Sequence, residues 1–156
     1  MTSLSGRHLH YNWTINCGHF TCARRDLMPT LYEGGCLCGA IRFAADAPAA
    51  NPHHCSCRWC QQHTGALTAT WVEFARNQVR WTGPGGAPDT WRSSDCSSRA
   101  FCRRCGSSLG AIDDAPTVAL LLGCFDQPDS PGLEAVFHAF EDCCPVWNRP
   151  LPLTDK

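Results

Sequence analysis

Seven cysteines stand in three tight groups, Cys36-Leu-Cys38, Cys55-Ser-Cys57-Arg-Trp-Cys60 and Cys102-Arg-Arg-Cys105. A Cys-x-x-Cys pair brings two sulfurs to one tetrahedral centre from a single turn, and a glycine just after it, here Gly106, can take the positive φ that such a knuckle requires. Gly39 follows Cys38 in the same way. In an extended strand Cys36 and Cys38 would point to opposite faces, so they share an ion only if the backbone bends, as Gly34 and Gly35 permit. Together Cys36, Cys38, Cys102 and Cys105 make a four-thiolate set suited to structural zinc. Cys55, Cys57 and Cys60 supply three sulfurs, and three protein ligands plus one exchangeable position is what catalytic zinc needs. A fourth ligand from His53, His54, His63 or a distant cysteine would close that site instead, and spacing alone leaves the two readings even.

The remaining six of the 13 cysteines do not cluster. Cys17 and Cys22 lie near the N-terminus, Cys96 stands alone, and Cys124 sits in an apolar run as a small hydrophobe. The adjacent Cys143 and Cys144 have poor geometry for sharing a metal. An odd count argues against a fully paired disulfide set, and residues 1–17 lack the apolar core of a secretory signal, so the expected compartment is the reducing cytoplasm. The longest apolar stretch, 118–125, is too short to span a bilayer. Thirteen Lys and Arg against 14 Asp and Glu give a formal charge of −1, which supplies no field for nucleic acid or acidic membrane surfaces.

What positions these groups must be built from short pieces. In 156 residues, 13 Gly and 11 Pro interrupt every segment before it reaches helix length. One domain is expected at 31–148, preceded by a weakly ordered extension at 1–30 and followed by a tail at 149–156. Strands are predicted at 37–44, 69–74, 78–82, 89–93, 98–101, 108–112, 118–125 and 135–141, with 69–74 and 78–82 forming a hairpin. A turn or two of helix is predicted at 59–63.

GGCLCGAIRF at 34–43, HCSCRWCQQHTGA at 54–66 and FCRRCGSSL at 101–109 resemble the glutathione-dependent formaldehyde-activating enzymes and their relatives, which include centromere protein V. His138, followed nine residues on by Trp147, extends the resemblance. It implies a mainly β fold of packed antiparallel sheets stabilised by zinc, similar to methionine sulfoxide reductase B. It also implies two zinc ions, a structural one on Cys36, Cys38, Cys102 and Cys105 and a catalytic one on Cys55, Cys57 and Cys60. The implied activity is that of a carbon-sulfur lyase, joining glutathione to formaldehyde as S-hydroxymethylglutathione.

Many members carry basic residues where this chain has Gln61-Gln62, so a glutathione carboxylate would lose a charge partner there; Arg58 could substitute or could balance thiolate charge. Gly65 reads more readily as a helix cap than as an opening for ligand, and Trp59 more readily as packing than as a pocket wall. His138 is a candidate acid or base, though a lone strand histidine is more often structural. Two rival readings are a non-catalytic zinc- or glutathione-binding module and a thiol oxidoreductase using Cys143 or Cys144.

Overall fold

A computed structural model describes residues 31–148. The fold is mainly β with one helix. A small antiparallel sheet is ordered β1 (Leu31–Gly35), β2 (Arg42–Asp46), β5 (Val79–Trp81). The large sheet contains β3 (Ala50–Cys55), β4 (Ala69–Ala75), β6 (Asp89–Arg92), β7 (Ser97–Phe101), β8 (Ser108–Asp113), β9 (Thr117–Leu121) and β10 (His138–Ala139). Its spatial order is β10-β3-β4-β9-β8-β7-β6, antiparallel except for the parallel β10–β3 pair. The helix, α1 (Arg58–Thr64), joins β3 to β4.

The core forms where apolar residues of the two sheets meet. Tyr32, Phe43 and Ala45 of the small sheet pack with Val72, Phe74, Val118 and Leu120 of the large one, joined by Phe125 and Leu133. Full burial of side chains this size stabilises by about 1.5–3 kcal/mol each. Phe43 meets Phe125 edge to face at 5.1 Å. Gly34 makes that approach feasible, because a Cβ there would lie 2.2 Å from the Cys124 carbonyl oxygen and 2.4 Å from the Phe43 ring.

Six of the predicted elements fall in place: strands at 69–74, 78–82, 89–93, 98–101 and 108–112, and the helix. The predicted hairpin does not form. β4 pairs with β3 and β9, whereas β5, reached through the short 3₁₀ turn Arg76–Gln78, crosses to the small sheet beside β2, where Val79 and Trp81 pack against the core. The strand expected at 37–44 is a turn carrying Cys36 and Cys38, and only its end enters β2. The run 118–125 stops being strand at Leu121, where Leu122–Cys124 coils into a 3₁₀ turn, and 135–141 contributes two strand residues. β1 and β3 were not foreseen, since Gly34 and Gly35 read as a breaker and Pro52 interrupts a polar segment whose register shifts between Ala50 and His53. The extension expected at 1–30 and the tail at 149–156 lie outside the described residues.

Candidate functional site

Two tight turns face each other to make the first cysteine group. In the β1–β2 turn the Cys36 N–H donates to the Ile41 carbonyl (2.9 Å) and the Gly39 N–H to the Cys36 carbonyl (3.0 Å). The β7–β8 turn repeats the device, with Cys102 N–H on the Ser107 carbonyl (2.9 Å) and Gly106 N–H on the Cys102 carbonyl (2.8 Å). Gly39 and Gly106 hold φ of 74° and 76°, as the knuckle reading required. The Leu37 N–H donates to Ser107 Oγ at 3.1 Å and ties the turns together. All four sulfurs lie within 4.8 Å of one another.

These sulfurs are prepared to carry negative charge. Ile41 N–H points at Cys36 Sγ at 3.2 Å. Burial opposes ionisation of Cys36, but that N–H and the Cys38 and Cys102 thiols hold it below the usual thiol range. The Ser107 hydroxyl and backbone N–H pull Cys105 down to about 5. Cys38 is pushed up to about 11: the Ala40 backbone favours its thiolate, but burial and its three cysteine neighbours outweigh that. Four adjacent thiols cannot all ionise unaided, and a divalent cation supplies the compensating charge; the donor set fits one.

The second group is built at the β3–α1 junction. Cys55 ends β3 opposite Ala69, Cys57 is the N-cap of α1, and Cys60 lies in its first turn, with its N–H reaching Cys57 Sγ at 3.4 Å. The three sulfurs lie within 4.8 Å of one another. Among the described residues no fourth His, Cys, Asp or Glu ligand atom joins them. Cys55 and Cys60 are buried over Ala69, Trp71, Ala111 and Leu121, while Cys57 is partly open. Burial pushes the Cys55 and Cys60 thiols up; Cys57, though burial acts against it, is held down by the Cys60 N–H and the two neighbouring thiols. Here too the donors fit a thiophilic cation.

The three histidines weighed as closing ligands are engaged elsewhere. His53 stacks on Phe137 and His54 Nδ1 meets Thr70 Oγ1 at 2.9 Å. His63 stacks on Trp71, and its carbonyl accepts from Ser108 Oγ, which fastens α1 to β8. His138 Nε2 bonds to the fully buried Ser56 Oγ at 2.8 Å, and Ser56 in turn to Thr68. That contact anchors the loop between Cys55 and Cys57. Gly65 is the helix cap, at φ 75° with its N–H on the Gln61 carbonyl. Trp59, expected to pack, is instead 58% exposed.

Gln61 has a role the sequence did not disclose. Only 6% exposed, it donates through Nε2 to the carbonyls of Ser56 (2.9 Å), Leu67 (3.1 Å) and Cys143 (3.3 Å), and accepts from Arg58 at 2.5 Å. The position read as a missing charge partner is a tether, and Gln62 alone of the pair is exposed. Cys143 is exposed, Cys144 is buried with its sulfur 3.8 Å from Thr68 Oγ1, and Cys96 is exposed. Cys124 donates to the Ser108 carbonyl, and burial pushes its thiol up to about 11. No disulfide joins the described cysteines, and Cys17 and Cys22 lie outside the described residues. No described helix is long and apolar enough to cross a membrane.

A crystal structure of a Rhodobacter sphaeroides protein has a similar fold, with a TM-score of 0.53 at 18% identity, covering 69% of this chain and 99% of that one. Residues 31–142, which span both cysteine groups, match the family model described as Glutathione-dependent formaldehyde-activating enzyme. The chain belongs to the glutathione-dependent formaldehyde-activating enzyme family.

Proposed function

We propose that this protein is a zinc-dependent carbon-sulfur lyase that joins a small thiol, glutathione by family, to an aldehyde, forming S-hydroxymethylglutathione from formaldehyde. The observation that carries this reading is the difference between the two cysteine groups: four sulfurs converge in one and three in the other. On this reading Cys36, Cys38, Cys102 and Cys105 hold a structural ion, and Cys55, Cys57 and Cys60 hold a catalytic one. Zinc held by these three cysteines would have room for an external thiol and would lower its pKa, supplying thiolate near neutral pH.

The chain's own part is geometric. Cys55 and Cys60 are held from below by the sheet, and Cys57, partly exposed, stands at the start of α1. Ser56, bonded to His138 and Thr68, fixes the loop that presents them. In the addition a C–S bond forms, the carbonyl π bond opens, and the thiol proton passes to the aldehyde oxygen, so no oxidant is needed. A reducing cytoplasm suits a protein whose described cysteines form no disulfide.

Calorimetric titration of zinc-loaded protein with glutathione, beside a thiol lacking the γ-glutamyl and glycyl arms, tests the substrate. Selective glutathione binding, with adduct formation above the uncatalysed rate, is expected. Binding without acceleration would make the protein a glutathione-binding module, and indifference to both thiols would overturn the reading.

A further inference from the structure

Among the described residues, the buried side-chain polar atoms without a hydrogen-bond partner are His63 Nε2, Trp71 Nε1 and Arg99 Nε. The three residues meet at one place. The Arg99 guanidinium carbon lies 5.5 Å from the centre of the Trp71 ring, and the His63 ring stacks on the same indole at 6.4 Å and 16°. Register explains the convergence. Trp71 faces Leu121 across β4–β9, and Ala119 faces Ala111, which faces Arg99 across β8–β7. Alternation therefore puts Trp71 and Arg99 on one face of the large sheet with small alanines between them, and α1 supplies His63 three residues after Cys60.

Buried polar groups in folded proteins are nearly always paired, so three orphans together call for a ligand or water. Arg42, Arg80, Arg92 and Arg103 each pair with an aspartate, whereas Arg99 makes no ion pair among the described residues. Two of the orphans are N–H donors, one of them cationic, which is the complement of a carboxylate. His63 bonds the Gly110 backbone, and burial with the nearby Arg99 charge keeps its ring neutral, so Nε2 is left as an acceptor. The location is beside the second cysteine group: Trp71 shares a packed cluster with Cys55 and Cys60. His63 and Arg99 are both partly exposed as residues, so the cover over the three buried nitrogens is thin and lies at the surface.

We propose that Arg99 and Trp71 form a subsite for the terminal carboxylate of an amino-acid or peptide thiol, with His63 Nε2 accepting the adjacent N–H. The identification of the ligand as the thiol substrate rests on the function proposed above; the carboxylate chemistry of the subsite does not.

N-acetylglycine, which carries an amide N–H and a carboxylate but no thiol, separates the two. It is titrated into zinc-loaded, ¹⁵N-labelled protein, with the Trp71 indole resonance assigned by its loss in Trp71→Phe. The acid should move that resonance saturably and the methyl ester of the same compound should not; Arg99→Gln should weaken the acid by roughly tenfold or more. An indole resonance that stays still into tens of millimolar, as for a site holding only water, overturns the proposal. Equal responses to acid and ester overturn it as well, and that comparison on the unaltered protein decides the question if Arg99→Gln does not fold. Binding of N-acetylglycine without binding of glutathione would leave the subsite standing and remove the substrate assignment.

Discussion

Replacing Gln61 by methionine keeps the length of a side chain that is 6% exposed and deletes its amide. The two Nε2 hydrogens are shared among the carbonyls of Ser56, Leu67 and Cys143, and Oε1 accepts from the exposed Arg58, which water can serve in its place, so the native state loses at least two buried hydrogen bonds' worth of stabilisation and leaves one acceptor or more without a donor. At about 1 kcal/mol per neutral bond and 1–3 kcal/mol per stranded buried group, less the apolar gain from methionine, the loss is about 2–4 kcal/mol. A domain of this size melts roughly 3–5 °C lower per kcal/mol, which puts the fall at about 6–20 °C. Calorimetric melting at matched zinc saturation reads the total, and chelator-driven zinc release from the two groups reads the location. Release should quicken from Cys55, Cys57 and Cys60, whose loop Gln61 braces, and stay unchanged at the four-cysteine group. A melting point within about 2 °C of the parent, or equal quickening at both groups, would show that the tether carries no such burden.

Metal analysis should give two zinc per chain; Cys102→Ser should unfold the domain, whereas Cys57→Ser should keep the fold by circular dichroism and lose adduct formation. Gly34→Ala drives a Cβ against the Cys124 carbonyl and the Phe43 ring, so its urea midpoint should drop by the equivalent of at least about 2 kcal/mol with the m-value unchanged. Burial lowers the folded-state pKa of His54 and His63, so the unfolded chain binds more protons as acidity rises. The stability they leave intact above their ordinary value near 6.5 is lost as pH falls through the folded values. Asp46, Asp89, Asp114 and Asp126, lowered by their arginine partners, act only below about pH 4. Denaturant curves at fixed free zinc should therefore weaken as pH falls below about 6.5, less steeply in His63→Gln; an unchanged slope in that variant would refute the assignment.

The cysteine groups were legible because ligand spacing is local: a knuckle's sulfurs and its trailing glycine lie within six residues, as Cys36–Ile41 and Cys102–Ser107 show. Strand existence was legible wherever β-branched and aromatic residues ran between breakers, as with Thr70, Trp71, Val72 and Phe74 in β4. Pairing was not, because β5 leaves its sequence neighbour β4 for β2, a choice set by packing across the core rather than by the turn between them. β3 was hidden for a related reason: its polar residues earn their place through neighbours far along the chain, with His54 N–H donating to the Phe137 carbonyl. The same distance conceals the second layer of the site. Gln61 reaches Cys143, and Trp71 reaches Arg99 by way of β9 and β8, and nothing in either local segment announces these contacts.

The two cysteine groups also differ in what must already be folded before each can close. Cys55 to Cys60 spans a few residues, so the entropy of drawing its sulfurs together is small and an ion can be caught while most of the chain is still uncollapsed. Cys38 and Cys102 are 64 positions apart, and closing a loop of that length costs on the order of 4 kcal/mol before the ion contributes anything. Their meeting requires the β7–β8 turn to be delivered to the β1–β2 turn. With the proposed ion bound, the four-cysteine group acts as a late lock on topology, and zinc starvation should trap a chain that has not docked the small sheet onto the large one.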